Sequence, residues 1–203
     1  MSEPLRTPSN AEVDQAHNWY DRWCERCPLA DRCSIGRSAG VASCESPIVE
    51  VGAALERAME MLEVECAKHG VELDDLESPT VPAGADDLAE RALSWTRAGA
   101  EWLKTALAGE ACAVVGWYHT LVPTKLHRAI SSRAMGSTED AAGSAKVASL
   151  GLASVVDALT SHCQRAPHDG AGLALLIEAC ALIEAVEERF PDQLSFRRPG
   201  FDP

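Results

Sequence analysis

From Leu88 onward, apolar residues return every third or fourth position: Leu88, Ala92, Trp95, Gly99, Trp102 and Ala106. Alternating steps of four and three place all six on one side of a helix, as in a coiled-coil seam, and Gly109 closes it. A second helix is expected over about 111–135, bent at Pro123. It carries two stripes, one of Val115, His119, Val122, Leu126 and Ile130 and one of Val114, Tyr118, Leu121, Lys125 and Arg128. A third, about 138–165, opens on Ser-Thr-Glu-Asp, a capping-box pattern with Ser137 as cap and Asp140 at the third position. The last, about 172–190, is apolar on nearly every side and stops before Pro191, which predicts a central position. Upstream, Ser9 and Asn10 can cap a helix from Ala11 to Cys27 that Pro28 ends. Ile48 to His69 repeats apolar residues at helical period, between the small-residue loop 34–47 and the polar connector 70–84.

No stretch alternates with period two, so the expected class is all-α: an antiparallel bundle of about six helices with an N-terminal cysteine-cluster segment. Residues 1–46 are read as that segment and 47–203 as the bundle, the N-terminal helix packing with it as one compact domain. A chain of 203 residues is long enough to bury a core of its own.

Charge removes several functions. The formal net charge is −13 and no run of Lys and Arg gathers into a stripe, so a nucleic acid partner is not expected. Anionic membrane surfaces are disfavoured on the same ground. The first residues have no apolar core, and the most apolar stretch, 171–186, is short and carries Glu178 and Glu184. A cytoplasmic, membrane-free protein is therefore expected, with its eight cysteines kept reduced. Clustered cysteines in that compartment point to metal or redox chemistry.

The cluster is Cys24-x2-Cys27-x5-Cys33, with Cys44 further along. Cys24 and Cys27, three apart at a helix end, share a side. Pro28 turns the chain so that Cys33 can return, and the loop after it can bring Cys44 as a fourth ligand. Thiolates suit zinc or an iron–sulfur cluster. Structural zinc sites commonly join two close pairs, whereas a short triplet plus a distant cysteine favours iron–sulfur, a [4Fe–4S] cluster above all. Trp19, Tyr20 and Trp23 flank the site and can shield it, or simply belong to the core; His17 and Asp21 lie on the side of Cys24 and can substitute as ligands.

Over about ten residues the stretch resembles the cluster segment of the oxygen-sensing fumarate–nitrate reduction regulator family, which also uses C-x2-C-x5-C and a far cysteine. The resemblance implies Cys24, Cys27 and Cys33 as cluster ligands. That family's sensor domain and DNA-binding helix have no counterpart, so transcriptional function does not follow. The stretches WYDRWCERC and GWYHTLVPTKLHRAI are similar to segments of uncharacterised bacterial helical proteins, which supports the fold alone.

Outside the cysteines the polar candidates are few. His119 and Glu178 fall on apolar stripes and are expected inside the bundle, where an unpaired charge is costly. With Lys125 and Arg128 they compose a candidate catalytic pocket between the second and last of these four helices, against the simpler reading of a core histidine and salt bridges. Glu65 and His69 are four apart rather than three, which weakens a di-iron site. Cys66, Cys112, Cys163 and Cys180 read as small buried residues. No phosphate loop, nucleophile elbow or dinucleotide fingerprint is present. The leading expectation is a cluster-binding protein with a redox or sensing role through a protein partner. An enzyme using that pocket, with structural zinc, is the alternative, and a metal-stabilised interaction scaffold a second.

Overall fold

The structure is a computed structural model that describes residues 9, 13, 19, 23, 26–33, 59, 60, 63, 64, 66–68, 70, 86–199, 201 and 202. The chain divides into two compact units, one of residues 1–37 with 84–203 and the other of residues 38–83. The described residues 26–33 thus belong to the larger unit. In the smaller unit the described residues from 59 to 68 are helical, Cys66 is buried, and Gly70, at φ 66°, ends the helix.

In the larger unit four long helices carry the fold: α1 (Asp87–Thr105), α2 (Glu110–Ala134), α3 (Thr138–Arg165) and α4 (Gly170–Arg189). A one-turn 3-10 helix, Pro191–Leu194, follows. No strand occurs among the described residues. Each helix packs on the next and α1 packs on α4, so the four close into a ring with α2 and α4 on a diagonal. The connectors between these packed neighbours are only a few residues long.

The seam on α1 behaves as its spacing predicts. Leu88, Ala92, Trp95, Gly99 and Trp102 are its buried residues. Asp86 caps the helix, accepting from the amides of Leu88 at 3.1 Å and Ala89 at 3.4 Å, and Asp87 and Glu90 add negative charge where the helix dipole is positive. Gly99 allows α2 to come close: a Cβ there would lie 3.3 Å from that of His119.

Pro123 sits inside α2 and removes the N–H that would bond the carbonyl of His119. That carbonyl instead accepts the Thr96 hydroxyl of α1 at 2.7 Å. The proline's missing bond thus becomes a tie between helices, which the sequence did not announce.

The capping box expected at Ser137 is not formed. Ser137 makes no side-chain cap bond, and Asp140 turns to α2, where Arg128 Nε donates to it at 2.9 Å and Ser132 also donates. A guanidinium offers the carboxylate a charge-assisted pair, which outcompetes a lone serine amide.

α3 is the most enclosed helix, with Leu152, Val155 and Leu159 wholly shielded. By length and composition it could cross a membrane, but 56% of its apolar window is buried against its neighbours, the profile of a core helix. The central position expected for α4 therefore falls to α3. On α4, Leu175, Ala179, Leu182 and Val186 face the core, while Leu173 and Ile177 look outward.

Small residues on α3 admit aromatic rings. Gly151 lies under Tyr118, where a Cβ would come within 2.7 Å of the ring. Gly143 lies under Trp19 and Phe196, and Trp19 and Phe196 pack with centroids 5.1 Å apart. The C-terminal turn is closed by Asp202, which pairs with Arg198 at 2.8 Å and Lys146 at 3.4 Å. Burial pushes the Asp202 carboxyl up, but the hydrogen bonds and charge of Arg198, with Lys146, outweigh it and hold the pKa at about 2.

Candidate functional site

The cysteine segment is a double turn laid on the bundle. Ala30 donates to the Cys27 carbonyl at 3.2 Å, and Arg32 and Cys33 both donate to that of Leu29, at 3.0 and 2.8 Å. These bonds fold Pro28–Cys33 back on itself, as expected from a proline directly after Cys27. The single helix expected from Ala11 to Cys27 is not continuous: Val13 is helical, but Trp19 lies in a bend and neither Trp23 nor Cys27 is in a helix. The rings of Trp19 and Trp23 are taken by tertiary partners, and that packing overrides local helix preference.

Trp23 anchors the segment. Its ring stacks on Trp117 of α2 at 5.2 Å and meets Tyr118 edge-on at 6.0 Å. The Arg26 guanidinium lies 3.8 Å from the same ring, a cation–π contact. Leu29 and Cys33 are buried and Cys27 is half-buried. Two of the four candidate thiols therefore stand in one tight turn against α2. Cys24, Cys44, His17, Tyr20 and Asp21 lie outside the described residues, and among the described residues no three metal-ligating side chains meet. Of the four candidate ligands, the described residues include Cys27 and Cys33, which stand six positions apart in this turn.

The four polar candidates of the helices are dispersed. Glu178 is not buried: its side chain is 42% exposed and pairs at 3.0 Å with Arg91 of α1, not with Lys125, Arg128 or His119. His119 is half-buried, and its Nδ1 lies 2.9 Å from the Gly116 carbonyl of its own helix. Arg128 is bound to Asp140, which holds that carboxyl below its ordinary range, as do, more weakly, Ser132 and Lys125. Lys125 is buried at the same α2–α3 contact, within reach of Asp140. The physical reason is the ring order: α2 and α4 face each other across the core, where Leu126, Leu152 and Leu182 pack. Of the other cysteines only Cys66 is buried; Cys112 and Cys163 are half-buried and Cys180 is exposed.

One polar cluster was not foreseen. Asp169, between α3 and α4, accepts the Gly172 amide at 2.9 Å, the Trp102 indole N–H at 2.8 Å and His162 Nε2 at 2.8 Å. The amide of Gly172, then Trp102 and His162, hold its pKa at about 2. With Asp169 ionised, Nε2 of His162 carries the proton it shares. Cys163, beside this group, has its thiol pushed up by burial and by the Asp169 charge, so it is no activated nucleophile. The cluster ties α1, α3 and α4 together at one end. Neither Asp169 nor its partnership with Trp102, 67 residues away, was singled out in the sequence.

No protein-family model matches the chain, and neither a curated protein nor a solved structure is detectably similar to it. The likeness of residues 24–33 to the oxygen-sensor cluster segment rests on cysteine spacing alone.

Proposed function

We propose that the chain is a thiolate metal-centre protein. Cys24, Cys27 and Cys33 bind the centre with Cys44 as fourth ligand, a [4Fe–4S] cluster is the favoured occupant, and zinc is the alternative. The observation that carries the reading is the double turn holding Cys27 and Cys33, docked through Trp23 onto α2. The two thiols share one short turn, and burial of Cys33 would shield a centre bound there from water, a known means of tuning a cluster's potential. In this reading the wider chain is an all-α protein of about six helices, α1–α4 among them. The centre serves redox or sensing chemistry passed to a protein partner rather than to nucleic acid, the acidic surface disfavouring the latter.

The test is anaerobic purification with assay of iron, acid-labile sulfide and zinc, repeated on Cys27→Ser and Cys33→Ser. Brown protein with stoichiometric iron and sulfide, lost in both variants, supports the cluster. Colourless protein with one zinc supports the alternative and ends the redox role. Metal-free protein with unchanged folding in both variants ends the whole reading.

A further inference from the structure

The outward side of α4 carries a helix-pairing pattern of its own. Gly170, Leu173, Ile177, Cys180 and Glu184 follow one another in steps of three, four, three and four, and all five are exposed. Leu173 and Ile177 keep 46% and 60% of their surface in water. Such spacing is the seam of a helix pair. Ala174 and Ala181 flank it on one side and are small enough for a second helix to come close. Glu178, the one charged residue from Gly170 to Ile183, stands off this line. It borders the groove of about 560 Å³ that α1 and α4 form beside the buried Trp95 and Trp102, and Arg91 pairs with it there. A helix apolar on both sides calls for cover on both, and the core takes only the side of Leu175, Ala179, Leu182 and Val186.

Two features select a second copy of this chain, run antiparallel, as the cover. The first is where the seam's charge falls. With Ile177 on a two-fold axis, Leu173 meets Cys180 and Ala181 of the partner subunit, and Glu184 reaches Gly170 of the partner subunit, where α4 begins. A helix N-terminus is electropositive, so the seam's single carboxylate lands where it is stabilised. Asp169, which caps that end, keeps its own carboxylate on Trp102 and His162. A parallel pair would instead set the two Glu184 carboxylates against each other. The second feature is the shortage of cations. A helix that lies in a membrane surface carries Lys and Arg beside its apolar face, whereas α4 has one basic residue, Arg189, in its last turn. The net charge of −13 further opposes an anionic lipid surface.

We propose that the outer face of α4 is a homodimer interface, in which two copies pair antiparallel through Leu173, Ile177 and Cys180. This surface is independent of the cysteine segment.

The experiment is sedimentation equilibrium of the full-length chain from about 1 to about 300 µM. A seam of two heptads is a small interface, so a monomer–dimer equilibrium with a Kd of about 10–100 µM is expected. Ile177→Glu sets two like charges at the axis and should weaken the dimer by at least about tenfold. Glu184→Lys places a cation on the partner's helix N-terminus and should weaken it about threefold or more. Leu93→Glu, a charge at a 48% exposed leucine on α1, should leave the Kd unchanged. Thermal melts check that each variant is folded. A monomer at every concentration overturns the proposal, as does one that floats with neutral phosphatidylcholine vesicles and so gives the face to lipid. An unchanged dimer in folded Ile177→Glu, an equal loss in Leu93→Glu, or a tighter dimer in Glu184→Lys overturns it as well.

Discussion

In the four-helix unit, Leu126, Leu152, Leu159 and Leu182 are fully shielded and the helices are tied by polar clamps at Asp140 and Asp169. In the cysteine segment 26–33, Leu29 and Cys33 are the buried residues, and the backbone is held by single turns rather than by a helical ladder. The first region closes on itself through area removed from water. The second borrows its position from Trp23 lying on Trp117 and Tyr118. Stability is concentrated in the bundle, and the metal centre proposed for the segment would add most there, since binding free energy counts most where intrinsic folding energy is small.

The largest effect should come from emptying the bundle core. Leu152→Ala, at a residue with no exposure, is expected to cost about 2–5 kcal/mol by urea unfolding. Metal content should be unchanged; a parallel loss of metal would show that the two regions are not separable.

Next in size is overpacking beneath an aromatic ring. Gly151→Ala sets a Cβ within 2.7 Å of Tyr118 and is expected to cost about 1–3 kcal/mol, with a shifted near-ultraviolet dichroism as Tyr118 moves. Because Tyr118 also touches Trp23, this variant should loosen the segment as well. An unchanged exchange rate at the amides of 30–33 would deny that link.

The Asp169 clamp gives a pH signature. Its folded pKa of about 2 lies below the ordinary 3.8, so its stabilisation is fully present above pH 3.8 and is lost as pH falls towards 2. Because the side chain keeps some contact with water, the contribution is about 1–2 kcal/mol. Acid unfolding of Asp169→Asn should have a flatter pH dependence across that interval; an identical slope would mean that the carboxylate is not ionised against its three donors.

Smaller in global stability is Trp23→Ala. It is expected to change the unfolding midpoint of α1–α4 little while hydrogen exchange at the Ala30, Arg32 and Cys33 amides rises by about tenfold or more. Full cooperative destabilisation of the bundle would erase the distinction between the two regions. Smallest is Arg91→Ala, which removes a half-exposed pair with Glu178 and should alter stability by less than about 1 kcal/mol.

The legibility of the sequence follows the same division. Helices α1 to α4 were readable because a four-three repeat and stops at Gly109 and Pro191 are local signals. The cysteine spacing was readable for the same reason, and it alone suggested the chemistry of the segment. The helix expected from Ala11 to Cys27 was misread at Trp19, Trp23 and Cys27, since the aromatic spacing suits a helix while Trp19 and Trp23 spend their rings on Phe196 and Trp117.

What the sequence determined by itself is the all-helical class, the buried face of α1, the acidic surface and the grouping of thiols near residue 30. Tertiary structure alone decided the partners. It sent Glu178 to Arg91, Asp140 to Arg128, the Thr96 hydroxyl to the carbonyl that Pro123 left free, and it opened the groove beside Trp95 and Trp102. Periodicity fixes which way a side chain faces along its own helix. Which helix stands opposite is set by the order of the ring, and that is a property of the packed core as a whole.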